Sequence, residues 1–164
     1  SNMDGAHAHL LFNHFPIIGS ILSVLVLLAG FIIKNGIVKK TAMAMIVFTA
    51  VMTVPAFLTG EPAEEVLEAI NQAPDAIIHE HEEMAEKGLW TTIAVGALAL
   101  FAFVSSKKPI GPKLMKATLV LLIANTFFLT QIGNAGGEIR HTEIRTGGTV
   151  NAPVDGNLEV DDKD

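Results

Sequence analysis

The run Phe15-Pro16-Ile17-Ile18-Gly19-Ser20-Ile21-Leu22-Ser23-Val24-Leu25-Val26-Leu27-Leu28-Ala29-Gly30-Phe31-Ile32-Ile33 holds no charged residue and stops at Lys34. At about 1.5 Å of rise per residue, a helix of this length nearly crosses the roughly 30 Å hydrocarbon core of a bilayer. Similar runs follow at 42–58, 89–104 and 114–133. Soluble helices carry a charged stripe; these carry almost none, which points to membrane spans rather than to a soluble helical core. The fold class expected is all-α, an integral membrane four-helix up-down bundle. The expected domain is 1–145, with 146–164 as an acidic, Gly- and Asn-rich disordered tail.

Composition sets outer limits. The chain has 164 residues, half of them hydrophobic, and a formal net charge of -6. That acidic balance excludes a nucleic-acid partner, which needs a basic surface. With no cysteine, disulfides, thiolate-held iron–sulfur clusters and covalently attached c-type haem are excluded. The first apolar run is too long for a signal-peptide core and has no basic stretch before it, so it reads as a span.

Charge gives the orientation. Lys34, Lys39 and Lys40 sit between the first two runs, and Lys107, Lys108 and Lys113 between the last two, with Lys116 at the start of the fourth. None of the 17 Asp and Glu residues falls in either connection. Short lysine-bearing loops stay in the cytoplasm, so both termini and the long middle connection are expected outside. The expected home is the bacterial cytoplasmic (inner) membrane.

The middle connection has structure of its own. Gly60 suits the end of the second helix and Pro62 the first turn of the next. Ala63, Val66, Leu67 and Ile70 then oppose Glu64, Glu65 and Glu68, which predicts an amphipathic helix over 62–71 on the outer face. After Pro74, a helix from Ala76 is expected to run straight into the third span, with Trp90 at the membrane interface. This helix carries His79-Glu80-His81-Glu82-Glu83 above the hydrocarbon.

The other histidines and a set of polar groups are carried to the same side. His7, His9 and His14 precede or open the first span, and Glu138, Arg140 and His141 follow the fourth. Asn125, Thr126, Thr130, Gln131 and Asn134 occupy the outer half of that span and are expected to face the bundle interior. Neutral imidazoles bind iron, copper and zinc, and Glu138-x-x-His141 matches one copy of the Glu-x-x-His pair of carboxylate bundles. A second copy is missing. A solvated acidic face, with histidines that only cap and pair, is the plainer reading, and it suits His7, His9 and His79 best. No ionisable residue lies mid-span, so an ion or proton pathway is not indicated.

The chain resembles a bacterial family of small four-helix membrane proteins of unknown function. The resemblance rests on His14-Phe15-Pro16-Ile17, on His81 at the head of the third span, and on Gly136-Gly137-Glu138-Ile139-Arg140-His141. Relatives also share a segment like Phe57-Leu58-Thr59-Gly60-Glu61-Pro62-Ala63-Glu64-Glu65. Some are fused to Rieske-type or cytochrome c-type modules, which implies a redox setting on the outer face and singles out His14, His81, Glu138, Arg140 and His141.

Three functions follow as expectations. In the first, a b-type haem at the outer end is held by two of His14, His81 and His141, with Arg140 near a propionate and Ala85 and Gly88 lining a slot. In the second, His14, His81, His141 and Glu138 hold a zinc, iron or copper ion, which could support hydrolysis. In the third, the protein is a non-enzymatic structural or assembly subunit. Expected partners are the lipid bilayer, with membrane or periplasmic redox proteins and self-association as further candidates.

Overall fold

Two short turns organise the chain. The first helix, α1 (Phe15–Ile32), opens on His14, whose carbonyl accepts the Ile18 N–H at 3.0 Å. Pro16 stands in the first turn, where its missing N–H costs nothing. The helix ends as Lys34 adopts a left-handed φ of 54° and the Asn35 N–H returns to Gly30 O at 3.0 Å. Asn35 then caps α2 (Gly36–Leu58): its Oδ1 accepts the N–H groups of Ile37 at 2.9 Å and Val38 at 3.1 Å. Replacing Asn35 with alanine removes both bonds and should cost about 1 kcal/mol, read as a lower midpoint in SDS-driven unfolding of the detergent-purified protein.

The computed structural model describes residues 14–58 and 75–140. The helix expected over 62–71, together with His7, His9, His141 and the tail, lies outside them. Within the second block, α3 (Asp75–Val104) runs unbroken into its span, and α4 (Gly111–Arg140) follows after a turn. Gly111 sits so close to that turn that a Cβ would lie 2.6 Å from Ser105 O. The Gly136-Gly137 pair does not break α4, which continues to Arg140. No strand occurs among the described residues, and each helix is long and apolar enough to cross a membrane.

Each helix packs on the next in sequence, and α1 also packs on α4, which makes a four-helix bundle. The buried positions follow three-four spacing on every helix: Pro16, Ser20, Ser23, Leu27 and Gly30 on α1, and Met115, Thr118, Leu122, Asn125 and Leu129 on α4. That is the seam pattern of near-parallel helix axes. Most of what fills the seam is small or hydroxyl-bearing, including Ala42, Ala50, Ala99, Ala102, Thr49 and Thr92, with Leu27, Met43 and Leu122 among the larger side chains between them. Many large apolar side chains face outward, with Ile32 77%, Phe127 71% and Val120 66% exposed. Lipid removes the hydrophobic drive to bury them, so close packing of small residues holds the bundle. The chain is a multi-pass membrane protein.

The helices approach closely where α2 meets α3: a Cβ on Gly96 would lie 2.5 Å from Ala50 Cβ. Buried hydroxyls donate mostly to their own helix, as in Ser23 to Gly19 O at 2.7 Å and Thr49 to Met45 O at 2.8 Å. Between helices, Asn125 Nδ2 donates to Thr92 Oγ1 at 3.0 Å.

The C-terminal half of α4 departs from expectation. Only Asn125 of the five polar residues is buried; Thr126 and Thr130 are half-buried, and Gln131 and Asn134 are exposed. Helical periodicity decides this, because the seam through Leu122, Asn125 and Leu129 leaves those four positions beside it. Thr126 and Thr130 meet the backbone instead, donating to Leu122 O at 2.7 Å and Phe127 O at 2.6 Å.

Candidate functional site

Three contacts show which residues share the lysine-poor end of the bundle. Gly88 of α3 lies against Ile132 and Leu129 of α4, Thr92 bonds Asn125 one turn further in, and Gly133 of α4 lies against Ile17 of α1. The register can be followed outward at about 1.5 Å per residue. Position 14 of α1 then comes level with position 136 of α4, and position 81 of α3 with 137–138. His14, His81 and Glu138 thus belong to one layer, with their backbones roughly 2 to 3 Å apart in height. Position 81 also falls seven residues before Gly88, on the continuation of the interior seam of α3. Arg140 stands in the last turn of α4, less than a full turn beyond that layer.

The side chains described here are solvent-facing. His14 is exposed and makes no capping hydrogen bond to α1. His79 Nδ1 lies 3.3 Å from Glu82 Oε2 on the outer surface of α3, and Lys87 Nζ lies 2.9 Å from Glu83 Oε1 one turn on. Pairs at these spacings, this exposed, contribute little to stability. They engage His79, Glu82 and Glu83 as surface polar groups. Among the described residues no three His, Cys, Asp or Glu side chains gather closely enough to hold a metal ion. Of the ligand set expected, His14 alone has a described side chain; His81, Glu138 and Arg140 are placed by their backbones, and His141 lies beyond Arg140.

A haem inside the bundle does not fit these residues. The slot expected at Gly88 is filled, since a Cβ there would lie 2.5 Å from Ile132 Cδ1 and 3.4 Å from Leu129 Cδ2. On the neighbouring seam a Cβ at Gly133 would lie 3.1 Å from Ile17 Cδ1. A macrocycle would have to displace the Ile17, Leu129 and Ile132 side chains at these contacts. A single ion needs no such gap: histidine nitrogens approach zinc at about 2.0–2.1 Å and carboxylate oxygens at about 2.0–2.2 Å. The donor types fit an ion at the bundle's end.

Sequence reading missed a second polar cluster, halfway along the helices. Ser20 and Ser23 of α1, Thr49 of α2, Thr92 of α3 and Asn125 of α4 line a cavity of ≈ 10 Å³ with Ile46, Val95 and Leu122. It is too small for a substrate or a cofactor. Asn125 Oδ1 is buried there with no hydrogen-bond partner among the described residues, a loss of about 1–3 kcal/mol for a neutral acceptor. The sequence signal was present in the seam spacing of Ser20 with Ser23 and of Thr49 with Thr53, hidden by the apolar residues around them. The cluster contains no ionisable group, and its role is to bring four helices close. No protein-family model, no curated protein and no solved structure matches this chain.

Proposed function

We propose that this protein is an up-down membrane bundle, with both termini on the extracytoplasmic side of a bacterial inner membrane, that holds a metal ion at its outer end. The ligands are drawn from His14, His81, His141 and Glu138. The observation that carries the reading is the common height of positions 14, 81 and 138. Arg140 then stands near the ion as a counter-charge to Glu138 or to an anionic ligand. Three imidazoles and one carboxylate are borderline ligands that suit zinc, iron or copper rather than calcium or magnesium. A bound ion of this kind supplies redox change if it is iron or copper, and an activated water if it is zinc. The resemblance to bacterial proteins joined to Rieske-type and cytochrome c-type modules favours the redox role.

The chain's own residues have defined tasks in this reading. His14 and His81 come from helices packed on either side of α4, so ligation ties α1 to α3 across the end of the bundle. The acidic residues Glu80, Glu82, Glu83 and Glu86, all exposed on α3, give the approach a negative field that concentrates cations.

Visible spectra of the detergent-purified protein, air-oxidised and then dithionite-reduced, test the reading against haem. An ion site predicts no Soret band from cells supplied with haem, and a Soret band that shifts on reduction would overturn it. Orientation has its own test, since the chain lacks cysteine. In intact cells stripped of their outer membrane, an impermeant maleimide should label His79→Cys and not Lys107→Cys; the reverse pattern would invert the topology.

A further inference from the structure

The opposite end of the bundle carries a different chemistry, unused by the reading above. Lys34, Lys39, Lys40, Lys107, Lys108, Lys113 and Lys116 all stand there, and no Asp or Glu lies in either stretch of chain. The ion pairs among the described residues are His79–Glu82 and Lys87–Glu83, so none of the seven has a carboxylate partner.

Two of these lysines are held rather than free. Lys39 and Lys40 are half-buried in the first turns of α2, at the helix's positive end. Gly30 lets the Lys39 stem lie on α1, because a Cβ there would come 2.7 Å from Lys39 Cγ. The Lys39 ammonium sits 5.0 Å from the centre of the Phe31 ring, and that of Lys40 sits 4.6 Å from the centre of the Phe103 ring on α3. Cation–π contact fixes both stems against neighbouring helices, so a ligand need not immobilise them first.

Directly beside these cations is an apolar collar. Ile32 is 77%, Ile37 78% and Val104 65% exposed. A soluble polyanion would meet only the charges, whereas a phospholipid meets both, with its phosphate at the lysines and its chains along the collar. We propose that this end of the bundle binds anionic phospholipid headgroups, with Lys39 and Lys40 as the preformed contacts. The inference needs the bundle to sit in a bilayer and does not depend on which side the lysines face, nor on any ion at the other end.

The full chain in detergent is titrated with phosphatidylglycerol or phosphatidylcholine, and retained lipid is counted by native mass spectrometry. Phosphatidylglycerol should bind more tightly. Lys39→Gln with Lys40→Gln should weaken it about fivefold for each charge removed. Lys39→Arg with Lys40→Arg should retain binding, and Lys87→Gln at the far end should change nothing. Equal retention of the two lipids by the wild-type chain would overturn the proposal even if the double variant failed to fold. So would a loss with Lys87→Gln as large as with the double variant, which would show net charge rather than a site. Binding of inorganic phosphate or a short RNA as tight as that of phosphatidylglycerol in the same titration would overturn it too.

Discussion

Gly96→Leu will part α2 from α3 and unfold the bundle in detergents where the wild-type protein is stable. The first added carbon alone would stand 2.5 Å from Ala50 Cβ, about 1 Å inside ordinary carbon–carbon contact. Both partners are backbone-close and have no rotamer to give, so the helices themselves must move. Overpacking in a tight interior costs about 1–3 kcal/mol where side chains can adjust. Gly96→Ala should fall in that range, and Gly96→Leu should exceed it. Combining Gly96→Ala with Ala50→Gly returns the lost space, so the pair should recover most of the stability. Gly36 is the control: nothing lies within 4 Å of a Cβ there, so Gly36→Ala should be neutral or gain up to about 1 kcal/mol. SDS titration followed by circular dichroism ranks all four. Equal loss at Gly36 and Gly96 would mean that close packing of α2 on α3 does not hold the bundle.

Asn125→Asp should be the most damaging single polar change on α4. Position 125 lies near the middle of its span and is buried in the seam, 6% exposed, beside four hydroxyl side chains and no cation. An ionised carboxylate at the centre of a membrane helix costs about 3 kcal/mol, and the nearby Ser23 and Thr49 hydroxyls are committed to their own helices. Asn134→Asp, exposed at the end of the same span, should change stability by less than about 0.5 kcal/mol. The contrast reads depth directly. If both changes cost the same, the seam assigned to α4 is wrong or the helix is not membrane-embedded.

These two predictions use features that differ in how visible they were in the sequence. The apolar runs and the absence of a charged stripe were enough to read four helical spans. The helix from Asp75 into the third span was legible from the break at Pro74. The interior was harder. Ser20, Ser23 and Thr49 look incidental within runs of Leu, Ile and Val, yet they form the seam, because lipid leaves large apolar side chains no reason to turn inward. Gln131 and Asn134 misled for a related reason. Their polarity argued for burial, while helical period and nearness to the span's end put them outside. Gly136-Gly137 permits either a tight turn or close backbone packing, and α4 passes through the pair without a turn.

The candidate site was legible as a set of residue types and not as a geometry. A histidine at the start of the first span, one before the third and a carboxylate after the fourth can be gathered only by a register between helices. That register depends on glycine contacts such as Gly88 with Ile132, which no pattern of charge announces. The same contacts closed the slot that a haem would have needed.

Metal content per chain is the most direct test of the proposed ion site. Protein purified without a metal-affinity tag, washed with a weak chelator and analysed for zinc, iron and copper should carry one ion per chain. His81→Ala and His14→Ala should each lower that figure sharply while SDS unfolding shows the bundle intact, and Glu82→Ala should leave it unchanged. Less than about a tenth of an ion per folded wild-type chain, or equal metal in all four proteins, would contradict the site.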